Sequence, residues 1–394
     1  MTNGTRAYLD YNATAPLRPE AREAMLAALD VGGNPSSVHA DGRAAHRIVE
    51  GARERIATLM QARPRDVVFT SGATEAANTV LTPNAPRHQN KTPFARLLVA
   101  ATEHTCVLDG HRFPKDAVEV IPVDGEGRID PAALEARVTA LTEMHGPASL
   151  LVAVQAANNE TGVLQPIAEL EKRLTASGAI LVVDAAQFAG KLPVGPTGIH
   201  ADVTILSAHK LGGPQGAGAV IYGGDYYWPE PLMRGGGQER RRRAGTENVA
   251  AIAGFAAAAE AAFAGVDDFG KRIGALRDRC EALIRQSRPE TVFFGTGAER
   301  LPNTTCFAVP ALPAETMLIA LDLAGVAVSS GSACSSGKVS ASHVLAAMGV
   351  PPDLAKCAIR ISLGWASTEA DLELFATAWK SVLNHVAPGE IQAA

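Results

Sequence analysis

Seven short apolar runs between residues 66 and 222 constrain this chain more than any other feature of its 394 residues. They read "DVVFT" (66–70), "ARLLVAA" (95–101), "AVEVIPV" (117–123), "SLLVAVQA" (149–156), "AILVVDAAQ" (179–187), "DVTILSA" (202–208) and "GAVIYGG" (218–224). Most are continuous in Val, Ile and Leu rather than alternating, the pattern of strands buried on both faces. Between them, "ATEAANTVL", "PAALEARVTALTEM" and "PIAELEKRLTASG" carry the apolar spacing of crossover helices. The expected fold class is α/β: a mostly parallel seven-stranded sheet covered by helices.

Downstream the texture changes. "TENVAAIAGFAAAAEAAFAGV" (246–266) is Ala-rich, and "DDFGKRIGALRDRCEALIRQS" (267–287) continues its helical spacing, which predicts a long connecting helix. Short strands are expected at "TVFFG" (291–295), "TTCFAVP" (304–310), "GVAVSSG" (325–331) and "CAIRISLG" (357–364), before a last amphipathic segment, "TEADLELFATAWKSVLNHV". The expectation is a large domain over 15–260 and a smaller α+β domain over 261–394, with residues 1–14 packing on the smaller one.

Charge and cysteine usage narrow the function classes. With 36 basic and 41 acidic residues the formal charge is −5, which gives no global attraction to nucleic acid, and the run Arg240 to Arg243 is too local to change that. No apolar run approaches the ~18 residues of a membrane span. The start "MTNGTRAYLDYNATAP" lacks a basic stretch followed by an apolar one, so the chain is expected to be cytoplasmic. Its five cysteines are odd in number, widely spaced and never in a CxxC pair, so neither a disulfide framework nor a metal site is expected.

Ligands of open α/β sheets bind beyond the carboxyl ends of the strands, so the residues after each run carry the functional signal. "SGATEAAN" follows the first run; it opens a helix whose free N–H groups suit a phosphate or an ordinary cap. "TEHT" places His104 at a tip, and "NNETG" places Asn159 and Glu160 in a ligand contact or a hydrogen-bonded turn. "ILVVDAAQ" runs to Asp184 and Gln187, a carboxylate deep enough to need a partner. "DVTILSAHK" ends on Ser207, His209 and Lys210, beside glycines that let a ligand approach. A desolvated lysine there can act as a neutral amine and form a Schiff base. Amine, acid, imidazole, amide and helix terminus are together what pyridoxal 5'-phosphate needs. A dinucleotide site fits less well, because the glycines at 212–218 run into a strand instead of a helix. The remaining signal is "SSGSACSS" (329–336), where Cys334 sits among small residues as either a packed thiol or a reactive loop thiol.

Ten ordered blocks then carry a resemblance: "YLDYNATAP" (8–16), "GNPSSVH" (33–39), "VVFTSGATEAAN" (67–78), "TEH" (102–104), "NNETG" (158–162), "VDAAQ" (183–187), "SAHKLGGPQGAGA" (207–219), "GGGQERRRRAGTEN" (235–248), "SSGSACSS" and "IRISLG" (359–364). In these the chain resembles class I cysteine desulfurases of the NifS/IscS type, which are fold-type-I pyridoxal-phosphate enzymes. The resemblance implies that Lys210 holds the cofactor as a Schiff base, that Asp184 faces its pyridine nitrogen, and that Gln187 contacts its phenolic oxygen. His104 would stack on the ring and help proton transfers. Thr74, Ser207 and His209 would hold the phosphate, with Thr246 reaching in from a second subunit, which implies a homodimer; Ala73 is a further cofactor-binding position.

Asn159 and Arg360 are the implied substrate-binding positions, Asn159 also bordering the cofactor and Arg360 clamping the carboxylate of L-cysteine. Cys334 is the implied nucleophile, carrying sulfur as a persulfide to an acceptor protein such as an iron–sulfur scaffold while alanine leaves. Departures are small: Ala208 stands where the family usually has glycine, and Ala15 where it often has Thr. An aminotransferase or a cysteine or selenocysteine lyase of the same fold is the alternative in which Cys334 is incidental; a catalytically idle scaffold is the other, at odds with the intact Lys210, Asp184, His104 and Cys334.

Overall fold

The computed structural model describes residues 6–85, 93–195, 199, 201–225, 227–330 and 342–386. A two-residue strand, β1 (Ala7–Tyr8), comes first, and each of the seven apolar runs then forms one strand. These are β2 (Val67–Thr70), β3 (Arg96–Ala100), β4 (Val118–Ile121), β5 (Leu150–Gln155), β6 (Ile180–Asp184), β7 (Val203–Ser207) and β8 (Gly218–Tyr222). They make one sheet in the order β2-β8-β7-β6-β5-β3-β4. Pairing is parallel from β7 across to β4, and β8 alone runs against its neighbours β2 and β7. The expected mostly parallel seven-stranded sheet is therefore present.

Burial explains why the runs are continuous. Successive residues go to opposite faces, and both faces are covered: Leu98, Val152, Val183 and Leu206 enter one core, Leu97, Leu151, Val182 and Ile205 another. The helices are α1 (Pro19–Val31), α2 (Ala40–Leu59), α3 (Ala73–Val80), α4 (Thr105–Leu108), α5 (Pro131–His145), α6 (Ile167–Leu174) and α7 (Val249–Ala264). They are followed by α8 (Val266–Ser287), α9 (Ala314–Leu323), α10 (His343–Ala347), α11 (Pro352–Ala355) and α12 (Glu369–Val386). Side chains of α2, α5, α6 and α7 fill the first core, and those of α3 and α4 the second. The two N-terminal helices α1 and α2, which pack on α7, have no counterpart among the expected elements.

One expectation changes. The connecting helix is two helices, α7 and α8, bent by 72°. Gly265 sits between them as the end of one and the start of the other, and glycine is the weakest helix former after proline. Among the described residues no single helix is long and apolar enough to cross a membrane.

A second, antiparallel sheet has the order β12-β13-β10-β9, from β9 (Val292–Phe293), β10 (Thr304–Ala308), β12 (Ser329–Ser330) and β13 (Ala358–Ser362). The run "GVAVSSG" thus splits, its first half being β11 (Val326–Ala327), which pairs in parallel with β1. Ala7 and Leu9 are buried with Ile273, Phe307, Ile361, Phe375 and Trp379 in a core of their own. On β13, Ile359 and Ile361 face that core, so Arg360 between them points to the opposite side. The arginine run is also tied down. Arg242 donates to Arg65 O at 2.8 Å, and Arg243 pairs with Glu75 at 3.0 Å. Arg53 forks onto the buried Glu239 just before the run, at 2.7 and 2.8 Å.

Candidate active site

Parallel strands bring their carboxyl ends to one edge, and a cavity of about 550 Å³ lies there. Ten residues singled out in the sequence line it: Ala73, Thr74, His104, Asn159, Asp184, Gln187, Ser207, His209, Lys210 and Arg360. Thr246 is exposed and does not line this cavity. Cys334 lies outside the described residues.

Lys210 closes a short turn, Ala208–Lys210, directly after β7. Its Nζ donates to Asn12 O at 2.6 Å and Ala13 O at 2.9 Å. Asp184 is the last residue of β6 and accepts from Ala186 N at 2.9 Å. Burial raises its pKa, opposed by that N–H and by His104 and Lys210. His104 caps α4, its Nδ1 accepting from Cys106 N at 3.1 Å. Burial above all lowers its pKa, with Lys210 and His343 adding to the effect. A neutral imidazole with Nδ1 as acceptor carries its proton on Nε2. The neighbouring Glu103 is pushed well up, by burial first and then by Asp184, and one of its carboxyl oxygens has no partner. Burial and Asp184 both disfavour a charge on Glu103, whereas Asp184 has the Ala186 N–H, His104 and Lys210 to favour its own.

The anion-binding corner is built by backbone. α3 begins at Gly72 with no side-chain cap, so its first N–H groups are left for a ligand. Gly218 opens β8 between Thr70 and Ser207. A Cβ there would stand 2.6 Å from Gly72 Cα and 2.7 Å from Leu206 O, so only glycine lets this corner form. His209 meets Thr14 Oγ1 at 2.7 Å through Nδ1; burial, then Lys210, lowers its pKa to about 4, so it is neutral at neutral pH. Burial would raise Glu75, but the Arg243 guanidinium and the Ser71 N–H outweigh it and hold this carboxylate below its usual range.

The facing wall comes from elsewhere in the chain. Buried Arg360 donates through Nη1 to Asn159 O at 3.0 Å and through Nη2 to Asp10 Oδ1 at 2.7 Å, while its Nε has no partner. Asn12 joins the two walls. Its amide donates to Asn159 O at 3.1 Å and Thr304 Oγ1 at 2.8 Å, and its N–H to Ser362 Oγ at 2.9 Å. Its Oδ1 accepts from Asn303 Nδ2 at 3.0 Å. Sequence reading did not single out Asp10, Asn12 or Thr14 one by one; the only signal was the block "YLDYNATAP" that contains them. Glu160 of "NNETG" is buried under Ser342, whose Oγ donates to it at 2.5 Å. Burial raises its pKa to about 7 against the pull of Ser342 and Arg360. Among the described residues no cluster of His, Cys, Asp or Glu is placed to hold a metal ion.

These residues fit pyridoxal phosphate: amine, acid, amide and an uncapped helix start face one cavity. On a sheet of this topology, an amine and an acid meeting at the carboxyl edge mark the fold-type-I class of pyridoxal-phosphate enzymes, the class that the ten sequence blocks implied. The model of the aminotransferase class-V family matches residues 7–375, and the chain belongs to that family, whose members depend on this cofactor.

A cysteine desulfurase of Cereibacter sphaeroides is 42% identical over 375 residues, covering 93% of each chain. Cysteine desulfurase IscS of Dictyoglomus turgidum is 39% identical over 370 residues, covering 93% of this chain and 91% of its own. Among solved structures, a NifS-like protein from Rickettsia africae superposes with a TM-score of 0.85 at 32% identity, over 96% of this chain and all of the other. The NifS/IscS resemblance read from the sequence therefore stands.

Proposed function

We propose that this protein is a pyridoxal-phosphate-dependent cysteine desulfurase, which converts L-cysteine to L-alanine and passes the sulfur on from a persulfide at Cys334. One observation carries the reading beyond family membership: Lys210 from the large sheet and Arg360 from the small one face the same cavity. An amine for an aldehyde cofactor and a guanidinium for a carboxylate, set in one site, select an α-amino acid. When bound, the cofactor supplies an electron sink for charge developing at the substrate Cα.

The chain's own groups do the rest. Lys210 would anchor the cofactor and move the proton at the substrate Cα. Asp184 would face the pyridine nitrogen and Gln187 the phenolic oxygen. His104, neutral with its proton on Nε2, would stack on the ring and exchange protons with substrate. The N–H groups at Ala73 and Thr74, with Ser207 and His209, would hold the phosphate, and Thr246 would complete that corner from a second subunit of a homodimer. Arg360 and Asn159 orient the substrate carboxylate. The Cys334 thiolate attacks the substrate sulfur: an S–S bond forms, the Cβ–S bond breaks, and its electron pair stays with the three-carbon remainder, which takes up protons and leaves as alanine. No outside oxidant is needed.

A protein acceptor such as an iron–sulfur scaffold would take the sulfur, in the cytoplasm. The domain boundary at 260/261 falls in the last turn of α7, and the pairing of β1 with β11 supports placing residues 6–14 with the smaller domain; residues 1–5 lie outside the described residues.

The test is to mix the purified protein with L-cysteine in the absence of reductant, beside a Cys334→Ala variant, and to quantify alanine and bound sulfur by mass spectrometry. Stoichiometric alanine, persulfide on Cys334, and neither product in the variant are expected. Equal alanine or pyruvate from both proteins would make Cys334 a bystander and the enzyme a lyase or transaminase.

A further inference from the structure

Lys191 is a buried amine for which the reading above has no use. It lies just beyond β6, is 5% exposed, and does not line the cavity. Among the described residues no carboxylate pairs with it. Its Nζ instead donates to Gln187 Oε1 at 2.6 Å and to Asn12 Oδ1 at 2.9 Å. Burying an amine carries a desolvation cost, which here only the hydrogen bonds to two amide oxygens offset.

That geometry concerns the Gln187 amide. Its oxygen is taken up by Lys191, and one of its two N–H groups goes to Asn12 O at 2.9 Å. What remains for the cavity is the second N–H, a donor. Rotating the amide by half a turn would set its oxygen against Asn12 O and present an acceptor to the cavity. The same Lys191 also holds Asn12, whose carbonyl receives Lys210 Nζ.

We propose that Lys191 is a positioning residue that fixes the Gln187 amide with an N–H directed at the phenolic oxygen of the cofactor. This rests on the placement of Gln187 opposite that oxygen. Burial, then the like charges of Lys210 and Arg360, push the Lys191 amine well below its ordinary pKa. The two hydrogen bonds it donates, to Gln187 Oε1 and Asn12 Oδ1, need only two N–H groups, which the amine has in either protonation state.

A donor on the phenolic oxygen weakens its hold on the proton shared with the Lys210 nitrogen. Losing that donor therefore raises the pH at which the visible absorption of the cofactor-loaded protein titrates, by about one unit for one charge-assisted hydrogen bond. The experiment follows that midpoint in the parent, Lys191→Met, Gln187→Leu and the double variant, with melting of each cofactor-free protein as a check on folding. Both single variants are expected to move the midpoint upward, and the double variant no further than Gln187→Leu alone, since the lysine acts through the amide. Should Lys191→Met fail to fold, Lys191→Gln, too short to reach Gln187 but still able to hydrogen-bond, is expected to give the same shift. A shift in Gln187→Leu with none in the Lys191 variants would overturn the inference. No shift in Gln187→Leu would overturn the placement on which it rests.

Discussion

The two walls of the cavity are built in opposite ways. On the sheet wall the functional groups gather at strand ends: His104 after β3, Asp184 at the tip of β6, Lys210 in the turn after β7. Burial governs its charge, holding His104 and His209 neutral and raising Glu103 and Asp184. The facing wall joins Asp10 to Arg360 across 350 positions of sequence, and it keeps a direct ion pair at 2.7 Å. A parallel sheet collects chemistry from strand ends by topology alone. The other wall exists only once two distant segments have packed.

The comparison breaks most sharply at Arg360. Arg360→Met keeps the apolar stem but removes the fork that is proposed to hold the substrate carboxylate. It should lower kcat/KM for L-cysteine by roughly a hundred- to a thousand-fold, about 3–4 kcal/mol, mostly through KM. Steady-state kinetics decide it. A variant with KM near the parent's would mean that the facing wall only supports the fold and that recognition resides on the sheet wall.

Glu160 lies where the walls meet and tests which influence prevails. Its folded-state pKa stands at about 7 against the ordinary 4.5. A carboxyl raised in this way contributes stability that is complete below about pH 4.5 and is lost as pH rises through about 7. Such a raised carboxyl corresponds to roughly 3 kcal/mol of pH-dependent stability. Glu160→Gln mimics the protonated acid without titrating. Denaturant unfolding at pH 5 and pH 8 should therefore show the variant gaining on the parent as pH rises. A difference that stays constant, or that moves in the parent's favour as pH rises, would mean that Arg360 outweighs burial and keeps Glu160 ionised.

The same contrast sets what the sequence could reveal. Every strand of the large sheet was legible because burial on both faces leaves an unbroken apolar run, and the tips followed from topology. Asn12 was not legible as a hub: its seven partners include Ser362, Thr304, Lys191 and Lys210, each more than 170 positions away. Lys191 looked like any turn lysine in "AGKLP", because nothing local shows that Gln187 and Asn12 close over it. The bend at Gly265 was missed for a related reason. The apolar spacing continues across it, and only the docking of α8 on a second core turns the chain there.

Asp10 gives the smallest expected effect and the finest distinction. Its carboxylate does two things to Arg360: it supplies an acceptor that aims Nη2, and it places a negative charge near the site meant for another carboxylate. Asp10→Asn keeps the acceptor and removes the charge, whereas Asp10→Ala removes both. If aiming and repulsion are separable, KM for L-cysteine should fall a few-fold in Asp10→Asn, under about 1 kcal/mol for a side chain one-fifth exposed, and rise in Asp10→Ala. Initial rates over a range of cysteine concentrations check both. A rise in KM in both variants would show that the ion pair itself, not its geometry, keeps Arg360 in place and holds the facing wall together.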